Sequence, residues 1–216
     1  MSGIYLRNLS FPKTLTPEKT IAIWGDSTTY GTGASLASDI IRSVLSRAFT
    51  PNRQVVSLAV GGETAAEITE RFLARPQNLR GDTLHVINYG RADYAADASD
   101  FVTQADRIWA DRDHDRVLFM VPGPGSNANE QTPGSSQIVT NNTARSQLIA
   151  AYPDNYIDQM QALWDGVTGG DSAADIAAES VGYCPPKYND DDIHRNSAGQ
   201  LIEATAIYDA IIAQGW

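Results

Sequence analysis

Two stretches carry residue types that could together move a proton and form a covalent bond: Gly25-Asp26-Ser27 and Asp191-Asp192-Ile193-His194. A serine hydroxyl is a weak nucleophile until a neighbouring base takes its proton. Three histidines are available. His85 lies inside an apolar run and reads as a buried strand residue. His114, in Asp111-Arg112-Asp113-His114-Asp115, reads as part of a charged, solvated turn. His194 is left as the general base. Asp191, three residues earlier, can loop back to one ring nitrogen and leave the other facing a hydroxyl. The same acidic run also suits a solvated loop or a weak cation site, although one histidine makes a histidine-rich metal site unexpected. Gly-Asp-Ser on its own equally suits an ordinary turn, since all three residue types favour turns. The third stretch is Val60-Gly61-Gly62-Glu63-Thr64. A glycine such as Gly62 at a strand end lets the backbone approach a ligand, and its N–H can point at a developing oxyanion. A tight turn with Thr64 capping the next helix is the plainer reading, and both can hold.

The elements that must position these residues follow from hydrophobic patterning. Apolar runs at Thr20–Trp24, Gln54–Val60, Thr83–Tyr89 and Arg116–Val121 each stop at glycine or proline. Runs of this length suit strands buried on both faces of a parallel sheet. Between them, Leu36, Ile40, Ile41, Val44, Leu45 and Phe49 recur at helical spacing. So do Phe101, Ala105, Ile108 and Trp109, and later Leu201, Ala204, Ile207, Tyr208, Ile211 and Ile212. Such alternation predicts a parallel sheet with helices on both faces. Each candidate residue then sits at a strand's carboxyl end or before a helix, where open α/β folds bind ligands. Segments 123–137 and 166–193 read as long connections, the second with some helix near Ala173–Glu179.

The chain has 216 residues, enough for one domain with a sizeable core and short for two. We expect an irregular leader at 1–19, broken by Pro12 and Pro17, and a single domain over 20–216. Hydrophobic residues make up 42% and charged residues 19%, as in ordinary globular proteins. A net charge of −10 repels phosphate backbones and anionic headgroups, so neither nucleic acid nor a membrane surface is an expected partner. The single cysteine, Cys184, allows no intrachain disulfide and has no cationic neighbour in sequence to activate it. No signal peptide or membrane span is visible, which favours a cytoplasmic product.

Taken in order, Gly25-Asp26-Ser27, Gly62, Gly90-Arg91-Ala92-Asp93 and Asp191-x-x-His194 resemble the four blocks of the SGNH (GDSL-type) hydrolases, over roughly residues 20–213. The resemblance implies a three-layer α/β/α sandwich around a mostly parallel five-stranded sheet, the flavodoxin-like SGNH fold. It implies a serine esterase with Ser27 as nucleophile, His194 as general base and then acid, and Asp191 orienting it. The backbone N–H groups of Ser27 and Gly62 would form the oxyanion hole. No metal or organic cofactor is implied.

One position departs from the family. The third block normally carries an asparagine as a further oxyanion donor, and here that place is Ala92. Losing one such donor costs on the order of a hundred- to a thousand-fold in rate. Three accounts stay open: another donor such as Asn127, Asn129 or Asn88 replaces it, the enzyme is slow, or the chain has become a binding protein, carbohydrate-binding or a virion component. Arg91 could reach an anionic or sugar substrate, and Asn127 could contact it; a solvated arginine is the plainer reading of Arg91. The polar 123–137 loop offers little lining for a long acyl chain, so a short group such as acetyl on a carbohydrate is the expected substrate.

Overall fold

The computed structural model describes residues 20–91, 98–113, 115–121, 123–127 and 130–216. The expected leader at 1–19, together with Ala92, His114 and Asn129, lies outside the described residues.

Among the described residues four parallel strands form the sheet: β1 (Thr20–Trp24), β2 (Gln54–Ser57), β3 (Leu84–Asn88) and β4 (Arg116–Met120), in the order β2-β1-β3-β4. β1, β3 and most of β4 are fully buried, which is why they read as unbroken apolar runs rather than alternating ones. Side-chain direction still alternates within them. Ile21 and Ile23 of β1, Leu84 and Val86 of β3, and Leu118 and Met120 of β4 pack in one cluster with Ile41, Leu45, Ile207 and Ile211. These last four belong to α2 (Ile41–Ala48) and α8 (Ser197–Ala213). Ala22, Trp24, Ile87, Val117 and Phe119 point the other way, onto α3 (Ala65–Leu73), α4 (Ala98–Asp111) and α5 (Ser136–Ala151). Helices on both faces make a three-layer α/β/α sandwich. A one-turn helix, α1 (Ser27–Tyr30), follows β1. Two further helices, α6 (Gln159–Asp165) and α7 (Ala173–Val181), close a smaller cluster around Met160, Trp164 and Cys184.

The expected fifth strand is replaced by a single bridge. Tyr156 pairs in parallel with Phe119, with Phe119 N–H donating to Asn155 O and Ile157 N–H donating to Phe119 O, both at 2.8 Å. Tyr152 caps the end of α5 and Asp158 caps the start of α6. Between those caps, among the described residues, only Tyr156 pairs with β4. The stripe beginning at Leu36 is also shorter than its periodicity suggests: α2 starts at Ile41, and Leu36 is 62% exposed. Gly31 and Gly33, both at positive φ, hold the preceding residues in turns.

The chain leaves β1 toward β2 on one side and later returns to β3 on the other. The β1–β3 boundary is therefore the topological switch point, where the carboxyl ends of neighbouring strands open a crevice. Ser27 lies three residues beyond the end of β1, at that crevice.

Candidate active site

Gly25 follows β1 at a place where no side chain fits. A Cβ there would lie 2.1 Å from Thr29 Oγ1 and 2.8 Å from the Asn88 carbonyl oxygen. The next residue, Asp26, is buried and caps α1: its Oδ1 accepts from the N–H of Thr28 at 2.9 Å and from the Thr28 hydroxyl at 2.7 Å. Its Oδ2 accepts from the Arg91 N–H at 2.7 Å, tying the loop after β1 to the loop after β3. Between buried Asp26 and buried Thr28, Ser27 is partly exposed and begins the helix.

The third residue group arrives from the far end of the sequence. Asn196 caps α8 through its Oδ1, which accepts from Ala198 and Gly199, and its Nδ2 donates back to the carbonyls of Lys187 and Asn189. Asn189 and Arg195 form an antiparallel bridge, and Asp190 N–H donates to His194 O at 2.8 Å. In the loop so closed, Asp191 Oδ1 accepts from the N–H groups of Ile193 and His194, at 2.7 and 2.6 Å. Its Oδ2 lies 2.8 Å from His194 Nδ1, and His194 Nε2 lies 3.0 Å from Ser27 Oγ. Burial raises the Asp191 pKa, but hydrogen bonds from the His194 ring and from two backbone N–H groups outweigh it and hold it down at about 2. An ionised carboxylate only accepts, so Nδ1 carries a proton toward Asp191, and Nε2 of a neutral ring is left to accept from the serine hydroxyl.

Two backbone donors stand nearby. Gly62 adopts φ +80°, with open space where a side chain would project, in a turn closed by Glu63 N–H donating to Val60 O. The turn lies beside the serine: a Cβ on Gly61 would sit 3.7 Å from Ser27 Cβ. Neither the Ser27 N–H nor the Gly62 N–H finds an acceptor among the described residues. Thr64 does cap α3, in a reciprocal box with Glu67, so the turn and the cap coexist.

Other expected residues lie elsewhere or are engaged. Arg91 is buried rather than solvated: one guanidinium nitrogen pairs with Glu130, and another lies 3.4 Å from the Ile193 carbonyl. Asn127 donates from Nδ2 to Glu130 at 2.6 Å and accepts the Glu130 N–H on Oδ1 at 3.0 Å, which turns the loop after β4. Asn88 is buried and accepts from Gln159 Nε2 at 3.1 Å. His85 is fully buried, accepts from the Trp24 indole at 3.0 Å, and titrates below the ordinary histidine range because burial disfavours its charged form. Cys184 is buried too, its thiol pushed up to about 11 by burial. Among the described residues no group of three or more His, Cys, Asp or Glu side chains is arranged to hold a metal ion. No described helix is long and apolar enough to cross a membrane.

Sequence reasoning left four residues without a role. Asp26 was legible in principle, since an aspartate before Ser-Thr is a common helix cap. Glu130, Gln200 and Glu203 carry no local signal. Gln200 links Thr28 O to Ile41 N, and Glu203 pairs with fully buried Arg195, the residue after His194.

No family model and no curated protein matches the sequence. Solved structures match along nearly its whole length. The fold is that of the GDSL-type hydrolases, and the likeness, at such low identity, is one of fold. A GDSL-like lipase from Bacteroides thetaiotaomicron is 16% identical with a TM-score of 0.63, covering 97% of this chain and 95% of its own. A carbohydrate acetylesterase family member from Sinorhizobium meliloti is 17% identical with a TM-score of 0.60, covering 92% and 100%. A member of the lipolytic G-D-S-L family from Veillonella parvula is 11% identical with a TM-score of 0.59, covering 88% and 96%.

Proposed function

We propose that this chain hydrolyses carboxylic esters through an acyl-serine intermediate. The carrying observation is the unbroken relay from Asp191 through His194 to Ser27, at 2.8 and 3.0 Å. Ser27 Oγ attacks the ester carbonyl carbon while its proton passes to His194 Nε2. Asp191 stabilises the resulting imidazolium. The oxyanion is received by the N–H groups of Ser27 and Gly62. Collapse breaks the bond to the alcohol oxygen, which leaves with the proton from His194. Water then attacks the acyl-serine, giving its proton to His194, and the carboxylic acid departs as Ser27 regains a hydrogen. The reaction as written uses no metal or organic cofactor.

The substrate we favour is a short acyl group, such as acetyl, on a carbohydrate. The polar loop after β4 supports this, as does the likeness of fold to a carbohydrate acetylesterase family member. Alanine at position 92 removes a side-chain donor, so turnover is slow relative to enzymes that carry asparagine there. The same alanine favours a second reading, in which the fold serves as a binding protein for carbohydrate or as a virion component.

Hydrolysis of p-nitrophenyl acetate separates the two. We expect wild type to turn over and to be labelled on Ser27 by a fluorophosphonate, and Ser27→Ala to fall to background in both assays. Equal background rates for the two proteins, with no label on Ser27, reject the esterase reading. Rate should also fall toward acid, as protonation removes the base.

A further inference from the structure

We infer that Arg91, locked by Glu130, is a positioning residue that sets the imidazole of His194 against the hydroxyl of Ser27. The inference rests on the esterase reading for its kinetic consequence and on geometry for the rest. Arg91 touches both halves of the relay. Its backbone N–H is held by Asp26, the residue before Ser27. Its side chain reaches the carbonyl of Ile193, the residue before His194. Its own place is set by Glu130, and the two side chains are each only 7% exposed.

Glu130 in turn gathers the loop after β4. One carboxylate oxygen takes Arg91 and the Asn127 amide, and the other accepts from the N–H of Gly125. Gly125 lies against the histidine loop so closely that a Cβ would come within 2.1 Å of the Asp192 carbonyl oxygen. The next residue, Ser126, donates its N–H to that oxygen at 2.9 Å. Two consecutive carbonyls of the histidine loop, Asp192 and Ile193, are thus met by donors from this cluster, the second shared with Arg195, whose Nη1 also lies 3.4 Å from the Ile193 oxygen. The exposed run Asp190–Ile193 has no core of its own to hold it. A guanidinium suits the task because its planar fork can satisfy a carboxylate and a carbonyl at once, which an ammonium does less well.

The kinetic consequence is specific. Proton transfer needs the ring nitrogen within hydrogen-bond reach, while binding of a small ester does not. Arg91→Met and Glu130→Gln should each lower kcat by about 10- to 100-fold, the loss that a misplacement of about 1 Å produces, with KM little changed. Arg91→Lys should retain more activity than Arg91→Met.

Single changes leave one buried charge uncompensated and can unfold the protein, so the deciding variant is Arg91→Met/Glu130→Gln. Removing both charges should raise the melting temperature above that of either single variant, because neutralising a buried pair costs less than breaking it; recovery is partial, since the new amide at position 130 still turns its NH2 toward the Gly125 N–H or the Asn127 amide. If Arg91 positions His194, kcat stays low while stability recovers. Recovery of kcat alongside stability would show a structural role only and overturn the inference. A second readout needs no turnover: the Nδ1 proton of His194, bonded to Asp191, observed by NMR in histidine-labelled protein. We expect a downfield signal in wild type that broadens or exchanges faster in the double variant. An unchanged signal overturns the inference. A wild type with no esterase activity but with the expected NMR change would instead defeat the esterase reading and leave the positioning role standing.

Discussion

Replacing Asp26 by asparagine changes one oxygen to an amide nitrogen and nothing else in size. The structure makes this substitution costly. Both carboxylate oxygens of Asp26 face donors: Oδ1 faces the N–H and hydroxyl of Thr28, and Oδ2 faces the N–H of Arg91. An amide has one acceptor and two donors, so in either orientation its NH2 meets a backbone N–H. One charge-assisted hydrogen bond is lost and a buried donor is left unsatisfied, at 3% exposure of the aspartate. The loss should be roughly 2–3 kcal/mol. For a domain of this size that lowers the melting temperature by about 4–12 °C. Asp26→Ala also removes the cap of α1, a further ~1 kcal/mol, and should be the less stable of the two. Thermal and urea unfolding, followed by circular dichroism, measure both. Because Asp26 joins the Ser27 and Arg91 loops, fluorophosphonate labelling of Ser27 should slow in both variants while they are still folded. A melting temperature for Asp26→Asn equal to wild type would refute the view that a bivalent acceptor holds the two loops together.

Other perturbations test neighbouring features. Gly25→Ala should destabilise by about 1–3 kcal/mol in urea unfolding, since the new methyl meets both Thr29 and the fixed Asn88 carbonyl; an unchanged midpoint would contradict that close approach. Asp191 has a folded-state pKa of about 2, below its ordinary value of 3.8. Its contribution to stability is therefore present above the unfolded value and is lost as pH falls through 2. The contribution is small, because the Asp191 side chain is 54% exposed and solvent screens its partners. Asp191→Asn should flatten the dependence of melting temperature on pH between about 4 and 2, and an identical acid slope in both proteins would refute this.

Much of the layer architecture was legible because burial on both faces leaves a run of apolar residues that needs no partner to be recognised. β1 matches its expected range, and the other strands differ from theirs only by trimmed ends. Beyond Ser57 the chain still donates from Leu58 to Ile23 O and from Val60 to Gly25 O, so the shorter β2 marks a bend rather than a departure from the sheet. α5 escaped notice because its buried positions include Asn141 and Ala144 beside Ile138 and Leu148, which dilutes the apolar stripe. The reduction of the expected fifth strand to a bridge at Tyr156 had no local signal either, since it depends on a pairing with Phe119 that only the fold brings about.

Residue type and order alone narrowed the candidates for nucleophile, base and orienting acid to Ser27, His194 and Asp191, because chemistry of that kind is restricted to a few side chains and only one histidine lay outside a strand or a charged turn. Tertiary structure alone decided what surrounds them. The pairs Arg91–Glu130 and Arg195–Glu203 join residues distant in sequence or lying on separate elements, and a buried charge is tolerated only where the fold brings its partner. No local pattern encodes such a meeting, so an arginine expected in solvent became part of the frame around His194.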